Sequence, residues 1–251
     1  MKKVTGFALA ALTSLFLVGS AVAAEKLRIG TEGGMPPFNM LDPSGKATGF
    51  DVDISYALCE KLKAECDVVL VDWDGSIPAL NADKFDFLAS SMSITEERKG
   101  AVSFTDAIYT NSLQYIAPKT TDFKTDNASV KGKVIGAQRA TVSSMWLEDN
   151  LGSDIEIMLY DKNEDAFMDL AAGRIDAILA DKLLSWEWLN SSTGKDFEFK
   201  GDPVFASDKV GIAVRKGNEQ LTQRLNQALK EIREDGTYEK INAKYFPFSI
   251  Y

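Results

Sequence analysis

The spacing of apolar positions along the chain switches back and forth between about two and about 3.6, the alternation of strands and helices in an α/β protein. Lys26-Leu-Arg-Ile-Gly30 alternates as a strand does, and Gly33, Gly34, Pro36 and Pro37 then break the pattern into a loop. Asp42-Pro-Ser-Gly45 is a turn, and Asp51 is expected to cap a helix that runs to about Ala64, with Ile54, Ala57, Leu58 and Leu62 on one face. A strand over Asp67–Val71 follows, ended by Asp72-Trp-Asp-Gly75. Ser76–Ala82 reads as a short helix that tolerates Pro78 in its first turn, and Phe85–Ala89 as a strand. Ser90-Ser-Met-Ser-Ile-Thr-Glu-Glu-Arg98 is then a strand-to-helix loop, with Thr95 as N-cap and Glu96 and Glu97 in the first turn.

The later half repeats the alternation. Leu113–Ala117 reads as a strand ending at Pro118, and residues Lys119 to Lys131 are polar and turn-rich. Strands over Lys133–Ala137 and Glu156–Tyr160 enclose a helix through Met145, Trp146 and Leu147, and a helix over Asn163–Ala172 faces Ala166, Phe167 and Leu170 inward. Val210–Val214 is a last strand before helices over Asn218–Arg233 and Gly236–Phe246.

Asp83-Lys-Phe-Asp-Phe-Leu-Ala-Ser90 and Gly173-Arg-Ile-Asp-Ala-Ile-Leu-Ala-Asp181 share one plan: a basic residue, an apolar residue, an aspartate and an apolar strand with a polar end. Two similar α/β lobes would explain this, with chance as the rival, because any helix–strand joint favours such residues. The division expected is 24–112 and 209–251 for one lobe and 113–208 for the other, joined by two crossovers that make a hinge.

Residues 1–23 have the three parts of a secretory signal peptide: Lys2-Lys3, an apolar run, and Ala21-Val-Ala23 as cleavage site. No later stretch nears the roughly 18 apolar residues of a membrane span, so the expectation is an exported, soluble, periplasmic chain. Its balance of 28 basic against 37 acidic residues, a net charge of −9, loses two lysines with the leader and argues against nucleic acid as partner. The absence of histidine excludes His-dependent triads and His-ligated zinc. Export favours a disulfide between Cys59 and Cys66 over free thiols or a metal pair. Neither metal nor cofactor is expected.

Candidate chemistry gathers at strand ends. The Ser90–Arg98 loop offers hydroxyls and free helix N–H groups able to hold a small carboxylate. Arg98 opposes the helix dipole where it stands, so it either clamps an anion with its planar fork or pairs with a surface acid such as Glu96 or Glu97. Glu32, with Met35 and Phe38 nearby, reaches a cleft or is a solvated loop acid. Trp73 is an aromatic wall for a cationic side chain or a half-buried core residue. Thr141 and Val142 open a second anion-friendly helix start, and Asp181 either accepts an ammonium group or caps the next helix.

Gly49-Phe-Asp-Val-Asp-Ile, Cys59 with Cys66, Trp73-Asp-Gly-Ser-Ile-Pro-Ala-Leu, Ser90–Arg98, Ala172-Gly-Arg-Ile-Asp-Ala and Asp235-Gly-Thr-Tyr with Lys244-Tyr-Phe occur in the order and spacing of a known family. Over essentially the whole chain after the leader, the sequence resembles the periplasmic solute-binding proteins of polar amino acid ABC importers, above all the lysine/arginine/ornithine and histidine binders. The resemblance implies two α/β lobes closing on an amino acid, with delivery to a membrane permease and its ATPase, and a monomer. It implies that Arg98 clamps the α-carboxylate, helped by Ser93 and the N–H near Val142. Asp181 and Ser91 would take the α-ammonium, Glu32 and Ser90 the side-chain cation, and Trp73 the aliphatic stem. Met35 stands where relatives carry a tyrosine, Glu32 where an aspartate is usual, and Gln138-Arg-Ala-Thr-Val142 replaces a Leu-Gln-Gly-Ser-Thr pattern. These departures fall on the side-chain pocket rather than on the clamp. The alternatives on this scaffold are an exported dehydratase of the cyclohexadienyl or arogenate type, or a protein presenting ligand to a chemosensor.

Overall fold

The computed structural model describes residues 24–251, so the leader lies outside the described residues. The first half holds β1 (Glu25–Thr31), β2 (Gly34–Met35), β3 (Asn39–Leu41), β4 (Ala47–Thr48), α1 (Phe50–Leu62), β5 (Ala64–Leu70), α2 (Ser76–Asn81), β6 (Phe87–Leu88), α3 (Glu96–Ala101) and β7 (Val102–Phe104). The second continues with β8 (Tyr109–Pro118), β9 (Val134–Gln138), α4 (Val142–Leu151), β10 (Glu156–Tyr160), α5 (Asn163–Ala171), β11 (Ala177–Asp181), α6 (Lys182–Leu189), β12 (Phe197–Val210), β13 (Ala213–Arg215), α7 (Glu219–Glu234) and α8 (Thr237–Tyr245).

Two five-stranded mixed sheets result, ordered β5-β1-β6-β13-β7 and β10-β9-β11-β8-β12. In each, a central strand has parallel neighbours on both sides: β1 between β5 and β6, and β9 between β10 and β11. Strands buried on both faces need helices above and below. Leu221, Leu225, Leu229 and Ile232 of α7 pack with Ile54 and Leu58 of α1 on one face of the first sheet, while Leu80, Phe85 and Leu88 fill the other. Leu147 and Leu151 of α4 cover one face of the second sheet, and Phe167, Leu170 and Leu184 of α5 and α6 the other. The chain passes from the first sheet to the second along β8 and returns along β12, an antiparallel pair running from Phe197 opposite Pro118 to Val210 opposite Tyr109.

The repeated plan has one structural job in both halves. Asp86 Oδ2 accepts from the N–H of Arg28 at 2.7 Å, and Asp176 Oδ2 accepts from that of Val134 at 2.9 Å. Each aspartate thus ties the turn after a helix to the start of the neighbouring central strand. The residue before it lies over a glycine of that strand: a Cβ on Gly30 would meet Phe85 at 2.5 Å, and one on Gly136 would meet Ile175 at 2.7 Å. Chance does not account for both correspondences.

Two expectations need correction. Asp51 does not cap α1, which begins at Phe50 with Gly49 (φ 126°) as N-cap and ends at Leu62, where Lys63 turns into the left-handed region and β5 starts at once. Asp51 is instead buried in the first turn, where its Oδ2 accepts from Asn39 Nδ2 at 3.2 Å and Ser91 Oγ at 2.8 Å. The strand expected over Val210–Val214 is divided between two strands: β12, of 14 residues with register shifts on either side of Val204, ends at Val210, and β13 begins at Ala213.

Cys59 and Cys66 form the disulfide, with Cα atoms 6.3 Å apart, tying α1 to β5. Closing so short a loop stabilises the fold by roughly 2–3 kcal/mol in the chain-entropy model. Reduction is therefore expected to lower the melting temperature, and calorimetry with and without dithiothreitol checks this.

Candidate functional site

The carboxyl ends of the parallel strands of both sheets face one narrow cleft, the position where open α/β sheets hold ligands. Every site residue expected from the sequence lines it except Ser90, which lies just behind, its Oγ accepting from the Glu32 N–H at 3.0 Å. A larger, more open depression around Thr121–Lys124 lies away from these strand ends, and its charges, such as Lys133 with Asp176 at 3.2 Å, are paired with one another.

Arg98 reaches the cleft because Thr95 starts α3 where it does, accepting from the Arg98 N–H at 3.1 Å. Its surroundings exclude the surface ion pair: Arg98 is only 7% exposed, and Glu96 is paired with Lys99 at 2.7 Å. Its guanidinium donates to the carbonyls of Ser93 and Ala140, each at 3.0 Å, and sits 5.3 Å from the Trp73 ring centroid. Burial lowers the Arg98 pKa, opposed by the charges of Asp208 and Asp181. Two of its five N–H groups meet neutral carbonyls and the rest of the fork is free for an anion.

Trp73 is 9% exposed and packed with Leu80 and Phe85, and it also stands on the cleft wall, with its Nε1 donating to the Ala140 carbonyl at 3.1 Å. Thr141 caps α4, accepting from the Ser144 N–H at 3.3 Å, so the N–H groups of Val142 and Ser143 stand at a helix start without an intrahelical acceptor. Ala140 holds φ 55°, the left-handed region that costs a non-glycine residue about 1–2 kcal/mol. Ala140→Gly is expected to raise stability by about 0.5–1 kcal/mol, the relief less the greater freedom of the unfolded chain, as denaturant titration would register.

Asp181 does not bond the α6 N-terminus with its side chain. Asn111 Nδ2 donates to its Oδ1 instead, and burial, with the nearby charge of Asp208, pushes its carboxyl up to about 7 against the pull of Arg98. Burial likewise raises Glu32 to about 7, opposed by the bond from Gln138 Nε2 at 2.7 Å and by the charge of Lys162. Gln138 is locked, donating also to the Asp161 carbonyl at 2.9 Å and accepting from Asn163 Nδ2 at 2.6 Å. The side chains of Glu32, after β1, and Gln138, ending β9, therefore bridge the two sheets.

Asp208, Asn111 and Asn163 escaped the sequence reading. Asp208 lies on β12, 1% exposed, and its Oδ2 accepts from Ser93 Oγ at 2.8 Å. The proton of the Ser93 hydroxyl is thereby taken up within the protein in this arrangement. A polar residue just before an apolar strand was the available signal at 208, but an isolated aspartate in a turn-rich stretch reads as loop.

Residues 27–248 match the family model of bacterial extracellular solute-binding proteins, family 3. The chain belongs to that family. Among curated family members, the L-arginine-binding protein of Pseudomonas aeruginosa is 38% identical, with 100% of this chain and 99% of that protein aligned. The lysine/arginine/ornithine-binding periplasmic protein of Escherichia coli is 36% identical over 97% of both chains. Among solved solute-binding structures, an ancestral arginine-binding protein bound to arginine superposes with a TM-score of 0.82 at 35% identity, covering 88% of this chain and 98% of that one. An ancestral amino acid-binding protein described as a precursor of cyclohexadienyl dehydratase superposes at 0.81, with 31% identity over 88% and 95% of the two chains.

Proposed function

We propose that the chain is the periplasmic receptor of an ABC importer for a cationic amino acid such as arginine, lysine, ornithine or histidine. The observation that carries this reading is the buried Arg98 fork facing Asp181 across a cleft lined with carboxylates. Arg98 and the Val142 N–H take the ligand carboxylate, Asp181 and Ser91 its ammonium group. Trp73 and Met35 flank the stem, and Glu32, backed by Ser90 and Gln138, meets the distal cation. Residues 24–112 with 209–251 form one lobe and 113–208 the other, with the leader removed on export to the periplasm. A ligand that touches Arg98 from one lobe and Asp181 from the other favours their approach, because only differential contact shifts a conformational equilibrium. The loaded receptor, a monomer, then meets the permease and its ATPase.

A thermal-shift screen of the amino acids tests this. Ligand at a hundred times its dissociation constant adds about 2.7 kcal/mol, so L-arginine or another basic amino acid is expected to raise the melting temperature. No shift with any of them would reject the reading.

Glu32 and Asp181 near pH 7 would also suit a general acid or base, which is the observation favouring a dehydratase on this scaffold. The receptor reading predicts no turnover of prephenate or arogenate by the purified chain.

A further inference from the structure

Beyond α8 the chain is fastened at several points. α8 itself is tied to α1, with Lys244 Nζ and Tyr245 Oη donating to Asp53 Oδ2 at 2.6 and 2.7 Å, so it belongs with the first sheet. The tail folds back over it: Asn242 donates from Nδ2 to the Phe248 carbonyl at 2.7 Å and accepts at Oδ1 from the Ile250 N–H at 3.2 Å, while Phe246 and Ile250 are buried. The Ile250 carbonyl then accepts at 2.9 Å from the N–H of Thr110, which lies on β8 opposite Lys209 of β12. The tail is thus bonded where the chain leaves the first sheet for the second. Between these anchors the Phe248 ring meets that of Trp186 edge to face, 5.5 Å between centroids and 78° between planes. Trp186 belongs to α6, which begins directly after Asp181 and packs under the second sheet. Phe248 is 42% exposed, so it contributes little to the core of its own layer, and neither ring lines the cleft.

An edge-to-face pair is favourable only over centroid distances of about 4.5–7 Å. Rotation about β8 and β12 would carry α6 with the second sheet and the tail with the first, changing that distance. A contact made in one arrangement and not in the other biases the equilibrium between them. The arrangement that holds the pair is the closed one, in which Gln138 reaches Glu32 and Trp73 reaches Ala140 across the cleft. We propose that Phe248 is a brace across the hinge, which packs on Trp186 to stabilise the closed arrangement and so raises ligand affinity from outside the binding site. The proposal rests on the reading of two lobes that close on an amino acid. Because neither ring touches the ligand, the effect is the same for every ligand the cleft takes: apparent affinity scales with the population of the binding-competent arrangement.

Titration calorimetry with L-arginine and L-lysine, on variants first shown to be folded by thermal melting, tests this. Phe248→Ala is expected to weaken both ligands by one common factor, roughly threefold to tenfold, the scale of a single aromatic pair. Phe248→Tyr keeps the ring and should stay within about twofold of wild type. Trp186→Ala should also weaken both ligands, and the double variant should lose no more than Trp186→Ala alone, because the two residues act through one contact. The proposal is overturned if Phe248→Ala leaves affinity unchanged or tighter, if it weakens one ligand and not the other, if Phe248→Tyr falls as far as Phe248→Ala, or if the two single losses multiply. Should Trp186→Ala fail to fold, the two Phe248 variants make the same distinction, and should wild type bind only one of the ligands, the loss for that ligand is the deciding one. Wild-type protein that binds neither would overturn the reading of the cleft itself. Small-angle scattering of the free chain then judges the brace: a larger radius of gyration in Phe248→Ala than in wild type supports it, and an equal radius overturns it.

Discussion

Arg98→Ala is expected to weaken L-arginine binding by about 2–5 kcal/mol, roughly thirtyfold to several-thousandfold, because truncation leaves a desolvated carboxylate without its partner. The guanidinium is buried and already placed by the Ser93 and Ala140 carbonyls and the Trp73 face, so little ordering is left for the ligand to impose. The same change leaves the Ser93 carbonyl without its donor, while that of Ala140 keeps the Trp73 Nε1–H, and stability should fall by about 1–3 kcal/mol as well. Arg98→Lys keeps the charge but not the fork, and an intermediate affinity is expected, since a single ammonium cannot make two parallel bonds to a carboxylate. Calorimetry on variants first shown to be folded by thermal melting checks both. An alanine variant with unchanged affinity would remove Arg98 from the site.

Raising the pH through about 7 should tighten binding of a cationic amino acid and at the same time destabilise the free chain. Glu32 and Asp181 are both pushed up to about 7 by burial, whereas in an unfolded chain they titrate near 4. Between those values the folded protein holds more protons than the unfolded one, so its stability declines as pH rises across the window and levels off above it. A cationic ligand has the opposite preference, because it needs both carboxylates ionised. Binding at pH 6 should therefore release protons, which calorimetry in buffers of different ionisation enthalpy measures directly. Affinity that is flat between pH 5.5 and 8, with no proton release, would mean that neither carboxylate meets the ligand's positive charge.

What could be foreseen from the sequence divides along physical lines. The helix α7 is legible because Leu221, Leu225, Ala228, Leu229 and Ile232 repeat with the helical period, a purely local pattern. The start of α3 is equally local, since Thr95 bonds a residue three positions on. The cleft residues stand out because polar side chains that follow apolar strands mark the strand ends where such sheets bind ligands. The strand β12 hides because its partners lie some 80 to 100 positions earlier on β8, and Gly201 and Pro203 interrupt its alternation. Asp51 shows the limit of local chemistry. An aspartate at the start of a helix has the right type for a cap, but Ser91 and Asn39, distant in sequence, claim its carboxylate.

A crystal structure of the chain grown with L-arginine tests the two-ended grip most directly. The account predicts the ligand carboxylate on the Arg98 guanidinium, its α-ammonium on Asp181, and its guanidinium group by Glu32. A ligand lying in the reverse sense, or seated away from both Arg98 and Asp181, would contradict it.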